Sequence, residues 1–403
     1  MSRTILYPDS IIDGTGAEAI DDHAVVVRDG VVEAVLPVGQ VGSDDGDNEL
    51  RLTGCTLIPG LINNHVHLEL PGDNTPFTPW IDLQSDAALA IWAAHNARVS
   101  LLSGVTTVRD CGGRGTTVFD VRQAQREGRI EAARIVSCGW TLTITGGHTR
   151  HFGGEVDGVV GVQRAVRDVI SRGAEYVKVM AAGGGTPGSL PQYPSFTKEE
   201  LTAIVEMSHS MGRKVSAHCI ATASIENAVD AGVDMIEHAS FYGPDQIPQI
   251  DQRVAEKLAG SGIPVTPTLQ VARDMYDIAM DAGGDVDPVW ERRLETQRGI
   301  IAALRELGVP LLAGSDAGWR ATAFDTLWKE LEELTFAGMS PVEVIHAATG
   351  AVSALLGYGD SFGTIEPGRA ADLVAVRGDL SSDIRVVQNV ALVMQGGQMV
   401  VRN

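Results

Sequence analysis

The sequence predicts an α/β protein: a (β/α)8 TIM barrel carrying a small β-sandwich formed by both termini. Three observations point there. From about residue 58 to 352, short apolar runs alternate with helix-patterned stretches. Both ends are instead crowded with β-branched runs separated by turn residues. And the one Gly-x-Gly-x-x-Gly string, Gly183 to Gly188, runs into a loop with Pro191 and Pro194 rather than opening a helix, as the alternative, an open doubly wound sheet, would need. The expected division is residues 1–57 plus 353–403 as the sandwich and 58–352 as the barrel.

At the N-terminal end, Ser10-Ile11-Ile12-Asp13-Gly14-Thr15-Gly16 reads as a strand and a turn, and Ala24 to Val35 as two β-branched runs around an Asp29-Gly30 hairpin signal. The C-terminal end repeats the style in Asp372–Val376, Ala391–Met394 and Met399–Val401. Between them, one strand leads into His65. Seven more are expected at 106–110, 134–138, 176–180, 214–218, 235–238, 264–268 and 310–316. Thr197-Lys198-Glu199-Glu200 is a capping box opening a helix that runs to Met211, and Ser340-Pro341-Val342-Glu343 opens another with proline at its first position.

Bulk properties narrow the function. The chain has 403 residues, 44% hydrophobic and 21% charged, with a net charge of −21. That balance excludes a nucleic-acid surface, which needs clustered Lys and Arg. No segment has the length and apolarity of a membrane span. The start of the chain carries no signal-peptide pattern, and Cys55, Cys111, Cys138 and Cys219 lack CxxC spacing. Buried thiols in a cytoplasmic protein, acting as a homo-oligomer on a small molecule, are therefore expected.

Six residues at or near strand ends carry the chemistry: His65 and His67 in Pro59-Gly60-Leu61-Ile62-Asn63-Asn64-His65-Val66-His67, then Lys178, His218, His238 and Asp316. In a barrel the C-terminal strand ends ring one mouth, so these distant residues converge there. His65 and His67, two apart, share one face of a strand and suit a single ion. Lys178 lies in the apolar string Tyr-Val-Lys-Val-Met. Burial favours its neutral amine, which can capture CO₂ as a carbamate whose two oxygens bridge two cations. The competing role is a lysine paired with a carboxylate. His218 and His238 would complete the second metal's shell. Asp316 would ligate one metal and take the proton of a water shared between the ions, or else serve as a turn aspartate. His148, on the loop Thr143-Ile144-Thr145-Gly146-Gly147-His148, would polarise a scissile carbonyl or merely hold the loop.

These strings resemble the amidohydrolase superfamily over nearly the whole chain. The match is to its binuclear, lysine-bridged type, and Gly363 to Val374 resembles its return into the terminal sheet. Thr145-Gly146-Gly147-His148, Lys178-Val179-Met180-Ala181-Ala182-Gly183-Gly184 and Gly232 to His238 resemble the branch of imidazolonepropionase-like proteins and prolidase-type dipeptidases. Members of that branch cleave Xaa-Pro and other dipeptides, N-acyl amino acids, and some carbamates, ureas and anilides. One string departs from the branch: Cys219-Ile220-Ala221-Thr222 follows His218 where small residues and glycine are usual.

The resemblance implies a metal-dependent amide hydrolase with two divalent ions, zinc being expected, and a metal-bridging hydroxide. One ion falls to His65, His67 and Asp316, the other to His218 and His238, with carboxylated Lys178 between them. Arg150 and Arg320 are candidates for a substrate carboxylate, Tyr242 for orienting the carbonyl, and the stretch from Gln270 to Arg293, read as loop, for setting specificity. Two enzyme alternatives remain at this point. A mononuclear deaminase needs an acid soon after His218, and none occurs before Glu226; an imidazolonepropionase-type cyclic amidohydrolase leaves Lys178 unexplained. A metal-bound structural or assembly protein on the same fold is the non-enzyme alternative.

Overall fold

The structure is a computed structural model that describes residues 3–42, 44–281 and 288–402. Both chain ends enter one hydrogen-bonded sheet. Its strands are β1 (Thr4–Ile11), β2 (Ile20–Asp21), β3 (His23–Arg28), β4 (Val31–Pro37) and β5 (Asn48–Pro59), joined late in the chain by three others that the central region separates from them. The Asp29-Gly30 turn between β3 and β4 has φ of +52° and +85°, the left-handed pair that a two-residue hairpin matching the strand twist requires.

β5 leads directly into the central region. There β6 (Leu61–Val66), β7 (Val105–Asp110) and β8 (Arg134–Ser137) form one parallel sheet, and β9 (Val177–Met180), β10 (Val215–Ala221), β11 (Met235–Tyr242) and β12 (Val265–Thr266) form another. β6 to β10 are buried along nearly their whole length, as parallel strands covered on both faces must be. Helices alternate with them. Those at Lys198–Ser210 and Pro341–Ala347 open on the expected capping boxes, each with its reciprocal pair of hydrogen bonds. The chain then returns to the terminal sheet through β13 (Leu373–Arg377), β14 (Val390–Gln395) and β15 (Gln398–Arg402), giving the order β15-β14-β13-β5-β1-β3-β4 with β2 on β1. Leu6, Val25, Leu57, Leu373 and Leu392, from both halves of this sheet, share one buried cluster.

The segment expected as an eighth central strand, 310–316, forms only isolated bridges, Val265 with Leu311 and Val66 with Ala317. Side chains do much of the joining instead. Asn63 accepts from the Ser315 amide at 3.0 Å and donates to its hydroxyl at 2.7 Å, while Asn64 donates to Thr266 at 2.9 Å. The backbone adds Asn64 N–H to Ala313 O (3.1 Å) and Asp316 N–H to His65 O (2.9 Å). Between the two parallel sheets, Leu142 and Lys178 bond through N–H to O at 2.9 Å, and Glu175 donates to Ser137 O at 3.0 Å. No helix among the described residues is long and apolar enough to cross a membrane.

Gly314 sits where the 310–316 segment meets β6. A Cβ there would lie 2.8 Å from the His65 backbone nitrogen and 2.6 Å from Thr266 Cγ2. Gly260, inside the helix Gln252–Ser261, faces open space. Gly314→Ala is therefore expected to lose about 1–3 kcal/mol by overpacking, and Gly260→Ala to gain about 0.5–1 kcal/mol. Urea unfolding of the two variants checks this; equal midpoints would contradict the close packing of Gly314.

Candidate metal centre

His65 lies on β6 and His67 just beyond it, and both rings are buried. Each has its Nδ1 committed. His65 donates to Glu237 Oε2 at 2.9 Å, and His67 donates to the Gly112 carbonyl at 2.7 Å. Burial, first among the causes, pulls both imidazoles below their ordinary pKa, His67 to about 4, so they are neutral at pH 7. A neutral ring with its proton on Nδ1 presents a bare lone pair at Nε2. Both Nε2 atoms lie 3.4 Å from Asp316 Oδ1, which is itself buried and has no hydrogen-bond donor. Three acceptors thus face one another with nothing to accept. A divalent cation relieves that arrangement, so these residues fit a metal. The Nε2 side also holds His238: ligand atoms of His65, His238 and Asp316 all lie within 4.8 Å of one another.

His218 lies midway along β10 and His238 midway along β11, with ring centroids 4.6 Å apart. His218 Nε2 donates to Gly183 O at 3.1 Å, which leaves its Nδ1 as the free ligand atom. His238 Nδ1 meets Thr268 Oγ1 at 2.7 Å, which leaves its Nε2. Burial lowers both pKa values well below the usual range, again favouring the ligating form.

Lys178, on β9, is 1% exposed and lines the same cavity. Its Nζ has no hydrogen-bond partner, and the nearest carboxylate oxygen in an ion pair with it, Glu237 Oε1, is 3.8 Å away. Both roles expected for it thus have a foothold: proximity to a carboxylate, and an unsatisfied amine aimed at the histidines.

Glu237 is the site residue that sequence reasoning missed, and Arg109 is its partner. Glu237 is fully buried and accepts from Arg109 (2.7 Å), Ser216 (2.5 Å) and His65. Burial works to raise its pKa, but Lys178, Arg109 and His65 outweigh that and hold it well below the usual range. Arg109 is itself stacked 4.0 Å over the Tyr176 ring and bonded to Asn64 O. Strand alternation would send Glu237 and His238 to opposite faces. The backbone breaks the alternation, with φ of +70° at His238 and +49° at Ala239, so both side chains serve the centre. The available signal was the acid directly before His238.

His148 is buried with its ring 4.7 Å from that of His218. A relay sets its tautomer. The Thr149 amide donates to Thr186 Oγ1 (3.0 Å), and that hydroxyl contacts His148 Nδ1 at 2.8 Å. The Thr186 amide also points at Nδ1, at 3.4 Å. With Nδ1 an acceptor, the ring proton sits on Nε2. Gly184 allows the fit: a Cβ there would lie 2.4 Å from the His148 ring.

Asp316 has φ +62° on the turn after residue 315, and burial pushes its pKa up to about 7. Tyr242 and Arg320 line the same cavity, of about 330 Å³. Arg150 is not among the lining residues; it donates to Pro187 O at 3.0 Å. The stretch from Gln270 to Arg293 is largely helical rather than loop. Gln270–Asp281 and Pro288–Glu306 are helices, and residues 282–287 fall outside the described residues. Its side chains do reach the cavity, through Val271, Met275, Trp290 and Arg293.

Glu237→Gln keeps the shape but leaves Arg109 buried without a counter-charge and weakens the hold on His65. The expected result is a loss of about 3–5 kcal/mol in stability and a 10- to 100-fold loss of metal affinity, roughly. Denaturant unfolding and zinc titration of the variant measure the two effects; unchanged zinc affinity would remove Glu237 from the centre.

The amidohydrolase family pattern matches residues 56–400. Ochratoxinase of Aspergillus niger is 30% identical, over 98% of this chain and 86% of its own. A crystal structure of a Xaa-Pro dipeptidase with methionine bound in its active site superposes with a TM-score of 0.87 at 28% identity, covering 99% of this chain and all of that one. A crystal structure of A. niger ochratoxinase superposes with a TM-score of 0.82 at 27% identity, covering 99% and 95%. The chain belongs to the amidohydrolase family and is a hydrolase acting on C–N bonds.

Proposed function

We propose that this protein hydrolyses an amide-type C–N bond at a binuclear centre held by His65, His67, Lys178, His218, His238 and Asp316. The carrying observation is the convergence of the two Nε2 lone pairs of His65 and His67 on the unpartnered Asp316 Oδ1. On this reading β6 to β12 and the 310–316 segment close a (β/α)8 barrel. The backbone bonds linking Ser137 to Glu175, Leu142 to Lys178, and residues 310–317 to β12 and β6 support closure. Residues 1–57 and 353–403 then make a second unit, a β-sandwich, supported by the apolar cluster shared across their sheet.

Lys178 enters as its carbamate. The Nζ lone pair would attack the carbon of CO₂ and the nitrogen would give a proton to water, so the unsatisfied buried amine would become an anion able to help hold the ions. Two divalent ions, zinc being expected, would there polarise the amide carbonyl and lower the pKa of the attacking water. Asp316, between the two Nε2 atoms, takes the proton from that water and returns it to the leaving nitrogen. His148, its proton on Nε2 by the Thr186 relay, donates to the oxygen on which negative charge develops. Glu237 and the Gly112 carbonyl keep His65 and His67 in the ligating tautomer throughout. Tyr242 and Arg320, in the cavity wall, hold the rest of the substrate, and Arg150 is kept only as an outer contact. Dipeptides such as Xaa-Pro, N-acyl amino acids, and carbamates, ureas or anilides all present such a bond. The relatives' chemistry supports this class, since the superposed dipeptidase holds a free amino acid. A deaminase reading finds no support in Glu226, which pairs with Arg253 at 2.6 Å and 2.7 Å on a helix outside the cavity.

Zinc-loaded protein is expected to release amine from at least one member of a panel of dipeptides, N-acyl amino acids, and aryl carbamates or ureas. Asp316→Asn should lower kcat by roughly 10²–10⁴. Ammonia from an aminopurine without any amide cleavage, or full activity in Asp316→Asn, would defeat the proposal.

A further inference from the structure

The helix Gln270–Asp281 stands beside the metal centre, yet none of its side chains, among the described residues, belongs to a buried apolar cluster. Polar groups join it instead to the helix Leu327–Phe336. Lys329 pairs with Asp274 at 2.6 Å and Asp277 at 2.9 Å, and Arg273 with Glu332 at 3.1 Å and Glu333 at 3.0 Å. One contact in this interface is of another kind. The first amides of a helix have no partner within it. Here the Gln270 N–H donates to Glu330 Oε2 at 2.7 Å. Burial raises the Glu330 pKa to about 8, and the Gln270, Leu269 and Thr268 amides oppose that rise. The Gln270 side chain returns the tie, its Nε2 donating at 2.6 Å to Thr326 Oγ1, just before the second helix. Two helix heads are thus fastened to each other.

Thr268 connects this junction to the metal centre. Its φ of +52° is costly for a β-branched residue, so surrounding contacts must hold it there. Its hydroxyl lies 2.7 Å from His238 Nδ1, the contact that leaves Nε2 as the ligand atom. Thr268 lines the cavity and Glu330 does not. A backbone relaxing at Thr268 would carry the hydroxyl away from the ring and release its orientation.

We infer that Glu330 is a positioning residue for His238: by gripping the chain at the head of the helix Gln270–Asp281, it holds Thr268 in its strained conformation, and Thr268 keeps the ring aimed with Nε2 at the metal. This rests on the metal-centre reading above, in which Glu330 was assigned no part. The grip falls on backbone amides, so Val271 and Met275 can change on the cavity side without loosening it.

Cobalt(II) titration of metal-free full-length protein, followed by visible absorption, reads the centre without turnover. Glu330→Ala and Thr268→Ala should each weaken cobalt binding by about 10- to 100-fold. The double variant should lie within about twofold of the weaker single one, because both act through one contact. Glu330→Gln keeps an oxygen acceptor of the same shape and should restore most of the affinity. Arg273→Met is the control. It breaks ion pairs across the same interface and spares the Glu330 contact, so it should lower the urea midpoint but not cobalt affinity. A second readout needs no metal. With isotope-labelled histidine, the ring-nitrogen NMR signals of His238, assigned by their loss in His238→Gln, should shift in Glu330→Ala and Thr268→Ala and stay in place in Arg273→Met. Circular dichroism checks folding; Glu330→Asp, which withdraws the acceptor by one methylene, takes the place of an alanine variant that does not fold. Additive losses in the double variant, an Arg273→Met as damaging as Glu330→Ala, or His238 signals unmoved by loss of the Glu330 contact overturns the inference. No cobalt bound by the unaltered protein, with the His238 signals still shifting, leaves the relay standing and removes the metal-centre reading.

Discussion

The buried carboxylate of Glu237 organises the centre. Taking a carboxylate, a guanidinium and an amine out of water costs several kcal/mol per charge, roughly, unless their bonding capacity is filled. Here one oxygen of Glu237 takes Arg109 and Ser216, and the other takes the Nδ1 proton of His65. Fixing that proton turns His65 Nε2 toward Asp316. The same negative charge lies 3.8 Å from Lys178, whose amine is otherwise unsatisfied. One acid on β11 thus ties together β6, β7, β9 and β10, and it sets the protonation of the ligands rather than adding itself to them.

Regular strand geometry supplies the convergence, and departures from it supply the aim. Parallel strands bring residues from positions 65 to 316 to one place, but alternation alone would turn every second side chain away. Positive φ at His238, Ala239, Thr268 and Asp316 re-aims side chains at the rim. Such angles cost about 1–3 kcal/mol each and persist only where surrounding contacts over-determine them. The contacts are visible: Thr268 holds His238, and the Asp316 amide is tied to His65 O. The eighth segment, too irregular for a ladder, is instead stitched to β6 by the side chain of Asn63, which bonds the Ser315 amide and hydroxyl.

The α/β class and the gathering of His65, His67, Lys178, His218, His238 and Asp316 around one cavity were legible because short apolar runs alternating with helix-patterned stretches mark the strands that carry them. The His65–His67 spacing, the lone lysine in an apolar strand and both capping boxes all read directly. Glu237 and Arg109 did not, for a physical reason. Their roles depend on a broken alternation and on a partner 128 residues away, neither of which a local pattern encodes. A basic residue beside a glycine-rich loop carries no information about which way it points, and Arg150 donates to the Pro187 carbonyl. The stretch from 270 to 293 was read as loop although Val271, Ala272, Met275, Tyr276, Ile278 and Ala279 keep helical spacing; of these Val271, Ala272 and Met275 face the cavity.

That last misreading separates chemistry from selection. His65, Lys178, His218, Glu237 and His238 come from the central strands, and His67 and Asp316 from the turns beside them, where rigid pairing fixes position to a fraction of an ångström. The apolar and cationic wall comes largely from the two helices at Gln270–Asp281 and Pro288–Glu306, laid over the mouth and joined to the rest by side-chain contacts such as Arg298 with Glu333. Residues on such helices can change without disturbing the ligand tautomers, because Glu237 and Arg109 lie beneath the cavity and not in that wall. A site built this way keeps one bond-breaking apparatus while the group beside the bond is chosen separately.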